Sequence, residues 1–216
     1  SLWLEAADIM DDERAEKLRQ GLERFEEEGL VKDELEGGSD TINTAIPLMF
    51  GHLEAESEVE KINGEFSSRY GARTRSVTDP GYESDGYHTG SVWGLTTCWA
   101  SAANFEQGHD RQGVNSLTKF DQLLDRDQPG ALPEVVDAES GELLGAPEQA
   151  WSAGLAVHIV DSYMLGIEVK EDHVKIDPGE VTATRRGKRI RGEKLDIRVE
   201  KGKVELLNEP DLDLRF

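Results

Sequence analysis

The sequence predicts an all-α architecture closed by a small antiparallel β cap at its C-terminal end. Three observations carry this. Up to residue 165 the chain holds successive stretches of helix-forming residues, several with apolar side chains at three- and four-residue spacing. Short and long loops alternate between them, as in stacked helical hairpins. After Gly166 the pattern changes to alternating apolar and polar residues broken by Gly and Pro, the mark of short strands.

The chain opens with LWLEAADI, a short helix over 2–9. DERAEKLRQGLERFEEE predicts a second over 12–28, with Leu18, Leu22 and Phe25 on one face and Gly29 as its stop. Ser39 or Asp40 caps a helix over 41–50 that Pro47 kinks or delays. An amphipathic helix follows over 55–69. Residues 70–90 are rich in Gly, Pro, Tyr and Asp, and structured loops of that length are usually functional. Helices are expected at 91–106 and 110–125, a loop at 127–146, and a helix at 147–165 with Pro147 and Glu148 in its first turn. IEVKEDHVKIDPG, EVTATR, GKRI, KLDIRVEKG and KVELL read as strands. The chain thus divides into a helical segment over 1–166 and a β-rich tail over 167–216.

At 216 residues and 37% hydrophobic content, one domain with a real core is within reach. The 45 acidic residues outnumber 24 basic ones, giving a net charge of −21. Such a surface repels nucleic acid and anionic membranes, so neither is expected as a partner. The carboxylates are dispersed along the chain, as in an ordinary acidic protein or, the favoured reading, one from a concentrated-salt, halophilic setting where their repulsion is screened. The single cysteine, Cys98, permits no internal disulfide and points to a cytoplasmic location. Its surroundings, VWGLTTCWASAA, make it a core residue. No apolar run is long enough to span a bilayer. The histidines show no paired metal spacing, and His158, among Leu155, Val157, Ile159 and Val160, reads as a core residue. Dinucleotide, phosphate-loop and GxSxG motifs are absent, and no cofactor or metal is expected.

Two loop stretches carry chemistry. Asp85-Gly86-Tyr87-His88-Thr89-Gly90-Ser91-Val92-Trp93 packs three aromatic rings around two glycines. Sugars need that mixture of faces to stack on and polar groups for their hydroxyls, although composition alone leaves an ordinary aromatic turn open. Ala131-Leu132-Pro133-Glu134-Val135-Val136-Asp137 sets a carboxylate in an apolar context, before Gly145-Ala146-Pro147-Glu148-Gln149-Ala150-Trp151-Ser152. That context suits general acid or base work. With 45 acidic residues in the chain, a plain surface carboxylate is the alternative, and Trp151 fits the core equally well.

YHTGSVW resembles the Tyr-His-x-Gly-Ser/Thr-Val-Trp motif of glycogen-debranching enzymes of the amylo-α-1,6-glucosidase type. LPEVVD followed by GAPEQAWS resembles that family's SEIFDG … GCxAQAWS segment, in the same order. SLWLEAADIM resembles its ALWYNAL helix. The resemblance covers residues 1 to about 166. It implies a glucoamylase-like α/α toroid of six helical hairpins and inverting hydrolysis of α-1,6-linked glucose in glycogen-like glucans. It places the general base on Glu134 and the pocket wall on His88 and Trp93, with Tyr87, Gln149 and Trp151 around the sugar. Gly94, where Pro is usual, and Glu148, where the family is often uncharged, depart from the pattern. The family's general acid lies in a Thr-Trp-Met-Asp motif upstream of the ALWYNAL helix, and this sequence contains no such motif. The expected chain is therefore a C-terminal fragment, inactive alone, whose partners are an α-glucan or oligosaccharide and either the missing half of the toroid or a second copy. The alternative is a non-catalytic α-glucan-binding or assembly domain.

Overall fold

The computed structural model describes residues 11–27, 30–32, 34, 38–52, 56–124, 126 and 128–216. The helix expected at 2–9 and the Gly29 stop lie outside them. Helix α1 (Asp12–Glu23) starts where Asp11 accepts a hydrogen bond from the Arg14 amide at 2.9 Å, a side-chain N-cap. It buries Ala15, and Leu18 of the expected stripe is 52% exposed. A 3-10 turn (Ile42–Thr44) leads into the short α2 (Ala45–Met49), and Pro47 sits inside its first turn, where the missing N–H costs nothing. Then come α3 (Glu56–Gly64), α4 (Gly94–Glu106), α5 (Asp110–Asp121) and α6 (Ala150–His158), which continues as a π turn over Ile159–Met164.

The all-α expectation is overturned by the strands. Among the described residues there are four small sheets, two of them within the stretch expected to be helical. Strand β1 (Glu26–Glu27) pairs with β2 (Leu30–Val31), and β3 (Val92–Trp93) with β4 (Val135–Val136), both antiparallel. The runs Val-Trp and Val-Val are β-branched and aromatic, and suit a ladder better than a helix turn. The helix predicted from residue 91 therefore starts at Gly94. The helix predicted from Pro147 starts at Ala150, with Gln149 extended before it (φ −134°, ψ 115°), so Pro147 and Glu148 belong to the preceding loop.

The tail holds β5 (Ile167–Val169), β6 (Val174–Ile176), β7 (Thr182–Ile190), β8 (Glu193–Glu200), β9 (Lys203–Leu206) and β10 (Leu214–Arg215). EVTATR and GKRI form most of one strand, β7, with a bulge between Arg185 and Lys188. The tail is not wholly antiparallel, because β10 pairs parallel with β6.

Helix α4 is the centre of the core. Its sequence, GLTTCWASAANFE, is mostly small side chains, so neighbours approach it on nearly every side. The Ser101 hydroxyl donates to the Gly113 carbonyl of α5 at 2.9 Å. A Cβ on Gly113 would lie 2.8 Å from the Phe105 ring. One apolar cluster runs from Leu48 and Phe66 through Cys98 and Ala102 to Ile159 and, in the tail, Ile176, Leu195 and Ile197. Cys98 is fully buried, and burial pushes its thiol up to about 12, an inert core residue as expected. His158 is not in the core: it is exposed, with its Nδ1 3.1 Å from the Ser162 hydroxyl. Helical spacing placed it one position from the buried Ile159.

Gly94 owes its identity to close packing. A Cβ there would lie 2.4 Å from both Phe120 Cζ and Ser152 Oγ, and 2.6 Å from Ser152 Cβ. Gly94→Ala is expected to destabilise the fold by about 1–3 kcal/mol through overpacking, read as a lower melting temperature. An unchanged melting temperature would show that α4 and α6 have room to part.

Candidate active site

The two motif loops meet through the β3–β4 ladder, which pairs Trp93 with Val135 and Val92 with Val136. The Tyr-His loop is strung between this ladder and the segment before α2. The Thr74 amide donates to the Ser91 carbonyl at 2.9 Å, and the Ile42 amide to the Thr74 carbonyl at 3.0 Å. The Ser91 hydroxyl and the Trp93 indole N–H both donate to the Tyr87 carbonyl, at 2.9 and 2.8 Å. The loop's turn is therefore fixed from within. Its rings cluster accordingly. His88 stacks on Trp93 at 5.4 Å, Tyr87 meets Trp93 edge-on at 4.6 Å, and Trp151 lies 6.2 Å beyond. Trp93 is buried, whereas Tyr87 and Trp151 are each 46% exposed and present apolar faces outward.

Glu134 stands immediately before β4. Its backbone is pinned by a hydrogen bond from its own amide to the Ala146 carbonyl at 2.9 Å. The Ser152 hydroxyl holds the adjoining Pro133 carbonyl at 3.1 Å, and the Gln149 amide holds that of Leu132 at 2.9 Å. These are the reasons for the GAPEQAWS segment: it is a brace for the glutamate. Tyr87 donates its hydroxyl to Glu134 Oε1 at 2.6 Å, and the Ala146 amide donates to Oε2 at 3.0 Å. A side chain at position 145 would place Cβ 2.6 Å from Oε2, so Gly145 is required by this approach.

The hydrogen bond from Tyr87 lowers the Glu134 carboxyl below the ordinary range, aided by the Ala146 amide and opposed by partial desolvation. The same bond raises the Tyr87 hydroxyl. Glu134 is therefore a carboxylate at neutral pH. Tyr87→Phe removes the main cause, so the Glu134 carboxyl is expected to rise. The acid limb of any activity that needs the carboxylate should then move to higher pH, read in a kcat/KM profile. A limb that stays in place would separate Tyr87 from the titration.

Glu134, Tyr87, His88, Trp93 and Trp151 line one cleft of about 660 Å³. Gln149 does not; it contributes its backbone to the brace. Glu134 is the only carboxylate among the described residues that line the cleft. Asp137 is turned into its own loop. Burial pushes its carboxyl up, but the Ser140 and Glu139 amides and the Ser84 hydroxyl outweigh this and hold it low.

Sequence reasoning missed the wall made by Thr41, Asn43 and Arg75. The Arg75 side chain is only 19% exposed, yet among the described residues its one hydrogen bond runs from Nη1 to Asp79 Oδ1 at 3.4 Å. Its Nε and the Thr41 hydroxyl are buried without partners among the described residues. Gly81 admits the guanidinium, since a Cβ there would lie 2.1 Å from Nη1. Nothing in SRYGARTRSVTDP distinguishes Arg75 from Arg73, which is instead spent on Tyr82 at 3.1 Å and on the Ser67 carbonyl. Among the described residues no group of three or more His, Cys, Asp or Glu could hold a metal ion, and no helix is long and apolar enough to cross a membrane.

A braced carboxylate facing exposed aromatic rings is the equipment of a glycoside hydrolase domain. The chain belongs to the mannosylglycerate hydrolase MGH1-like glycoside hydrolase domain family, which it matches over residues 12–152. The match is to this family rather than to the debranching family that the loop motifs resemble. Solved structures share the fold. A protein named sialidase superposes on 93% of this chain with a TM-score of 0.72 at 14% identity. The GH63 mannosylglycerate hydrolase from Thermus thermophilus, in complex with glucose, covers 68% of it with a TM-score of 0.57 at 21% identity. Its complex with Tris and D-glycerate covers 64% with a TM-score of 0.52 at 21% identity. The chain spans 23%, 41% and 35% of the lengths of these three. A comparison with curated proteins gave no match.

Proposed function

We propose that this domain supplies the general base and one sugar-binding wall of an inverting glycoside hydrolase whose substrate carries an anionic group. The observation behind it is Glu134, a carboxylate held ionised by Tyr87 and Ala146 among the rings of Tyr87, His88, Trp93 and Trp151. In this reading Glu134 takes a proton from the attacking water. The departing oxygen is protonated by an acid outside the described lining residues. The rings hold the hexose. The under-satisfied Arg75 guanidinium receives the anion, as a charged fork does for a carboxylate. The Thermus relative is named for mannosylglycerate and has been captured with D-glycerate, which is a carboxylate. The second reading, α-1,6 debranching of a glycogen-like glucan, is supported by the motif YHTGSVW. The cytoplasmic, high-salt setting expected from the dispersed acidic residues and the lone Cys98 is part of the same proposal.

The test is hydrolysis of mannosylglycerate and of a limit dextrin by the protein that carries this domain. Arg75→Ala is expected to raise KM about 10- to 100-fold for the charged substrate, the worth of hydrogen bonds to an ionised group, and to leave a neutral methyl glycoside unaffected. Dextrin turnover without mannosylglycerate turnover would favour the debranching reading. The isolated chain is expected to bind sugar without hydrolysing either substrate. Clear turnover by it would place a complete acid–base pair within these residues.

A further inference from the structure

A second cleft, of about 620 Å³, lies between the helical layer and the β tail. The first cleft takes Leu95 and Thr96 from the N-terminal end of α4, and the second takes Phe105 and Glu106 from its C-terminal end. The ten-residue step from Leu95 to Phe105, at about 1.5 Å per residue, separates those two stretches by about 15 Å. The second cleft is lined by rings and polar groups together: Phe50, Tyr163, His158, Ser162, Glu106 and Lys188. Phe50 is 44% exposed, an uncommon position for so apolar a ring. His158 and Tyr163 meet edge-on at 5.8 Å, and the tyrosine hydroxyl is fixed to the Met49 carbonyl at 3.1 Å.

The charges around this cleft are matched with one exception. Lys188 binds Asp161 at 2.8 Å, Lys175 binds Asp177 at 2.8 Å, and Glu168 binds Lys170. No described residue donates a hydrogen bond to the Glu106 carboxylate, and burial raises it above the ordinary range. Imidazole Nε2 of His158 also has no partner among the described residues, since its bond to Ser162 uses Nδ1. The site therefore offers an unused acceptor, an unused ring nitrogen and a stacking face, inside a wall carrying both signs of charge. An ion of either sign would meet its own sign there. Hydroxyls, which donate and accept, suit it.

We propose that this cleft is a second, non-catalytic binding site for a neutral sugar or polyol of hexose size. Phe50 supplies the face for the ring's C–H surface, and Glu106 accepts from hydroxyls that His158 and Lys188 help to orient. The proposal does not depend on catalysis at Glu134.

The two clefts report separately. Trp93, Trp99 and Trp151 line the first, and no described tryptophan lines the second. In a Trp3→Phe background (Trp3 lies outside the described residues), tryptophan emission follows the first cleft, while the NMR signals of His158 and Tyr163 follow the second. With D-glucose, D-mannose and maltose as probes, at least one should shift the His158 and Tyr163 signals saturably. Phe50→Ala should weaken that response about tenfold or more without altering the tryptophan titration, and Glu106→Gln should weaken it likewise. Phe50 is exposed, so its loss spares the fold. Signals unmoved by all three sugars would overturn the proposal, as would shifts that persist unchanged in both variants. A silent tryptophan titration with moving His158 signals would sink the proposed function of the first cleft and leave this inference standing.

Discussion

Glu134→Gln, made in the protein that carries this domain, is expected to lower kcat by about 10²–10⁴-fold or more, the ordinary worth of a general base. The change keeps the shape that Gly145 and Ala146 enclose. It retains an acceptor for the Tyr87 hydroxyl or the Ala146 amide, the two donors that now reach 2.6 and 3.0 Å. Sugar binding should therefore survive, because the rings of His88, Trp93 and Trp151 are untouched. A variant with most of its kcat would remove Glu134 from the reaction and leave it a carboxylate that closes a loop. Loss of binding and turnover together would give it a structural part instead.

The second large effect concerns the join between the π turn and the tail. Asp161 is 3% exposed and holds two cations from β7, Arg185 Nε at 2.6 Å and Lys188 Nζ at 2.8 Å. The bulge between those residues lets one strand present both to the same carboxylate. Removing one partner of such a buried group typically costs about 3–5 kcal/mol, because the remaining charges stay partly desolvated. Both cations are 27% exposed, so Asp161→Ala is expected near the lower end, about 3 kcal/mol, measured as the denaturant midpoint. Burial pushes the Asp161 carboxyl up, but its hydrogen bonds to Arg185 and Lys188 prevail and hold it low. The folded value lies below the unfolded value of about 3.9, so the contribution is full above that pH and is lost as pH falls through the folded value. Wild type should lose midpoint steeply in that acid window, and Asp161→Ala should lose less. Equal slopes would assign the acid sensitivity to other carboxylates.

The helices were legible where their neighbours are also local. The small-residue run of α4 and the alternation in β7 and β8 are visible in sequence because burial follows from period. The all-α reading failed at Val92–Trp93 and Val135–Val136, two-residue strands too short for any period to show. Pro147 misled for a related reason: first-turn chemistry also suits a loop, and the brace onto Leu132 and Pro133 decided the matter. The motif residues Tyr87, His88, Trp93, Glu134 and Trp151 came together in one cleft, and their roles there stand as proposals. Arg75 and Thr41 were invisible, since their pairing across a β-bridge and their unpaired polar atoms are properties of the folded surroundings rather than of the local sequence.

The β3–β4 ladder has only two rungs, and between them run α4, α5 and the loop after α5. Within that span the loop after α5 tolerates changes of contour length cheaply, since doubling a flexible loop adds only about 0.6 kcal/mol, whereas α4 is fixed by its packing. Register is another matter, because a slip of one residue would turn each side chain to the opposite face. Insertions after α5, around Gln128–Gly130, should thus be borne with little loss, whereas a single residue added between Pro133 and Val135 would swing the carboxylate out of reach of Tyr87. The loop after α5 is free to drift in length and the clasp is not, so grafting this site onto another helical hairpin would require carrying over the clasp, the Tyr87–Trp93 loop and the GAPEQAWS brace together.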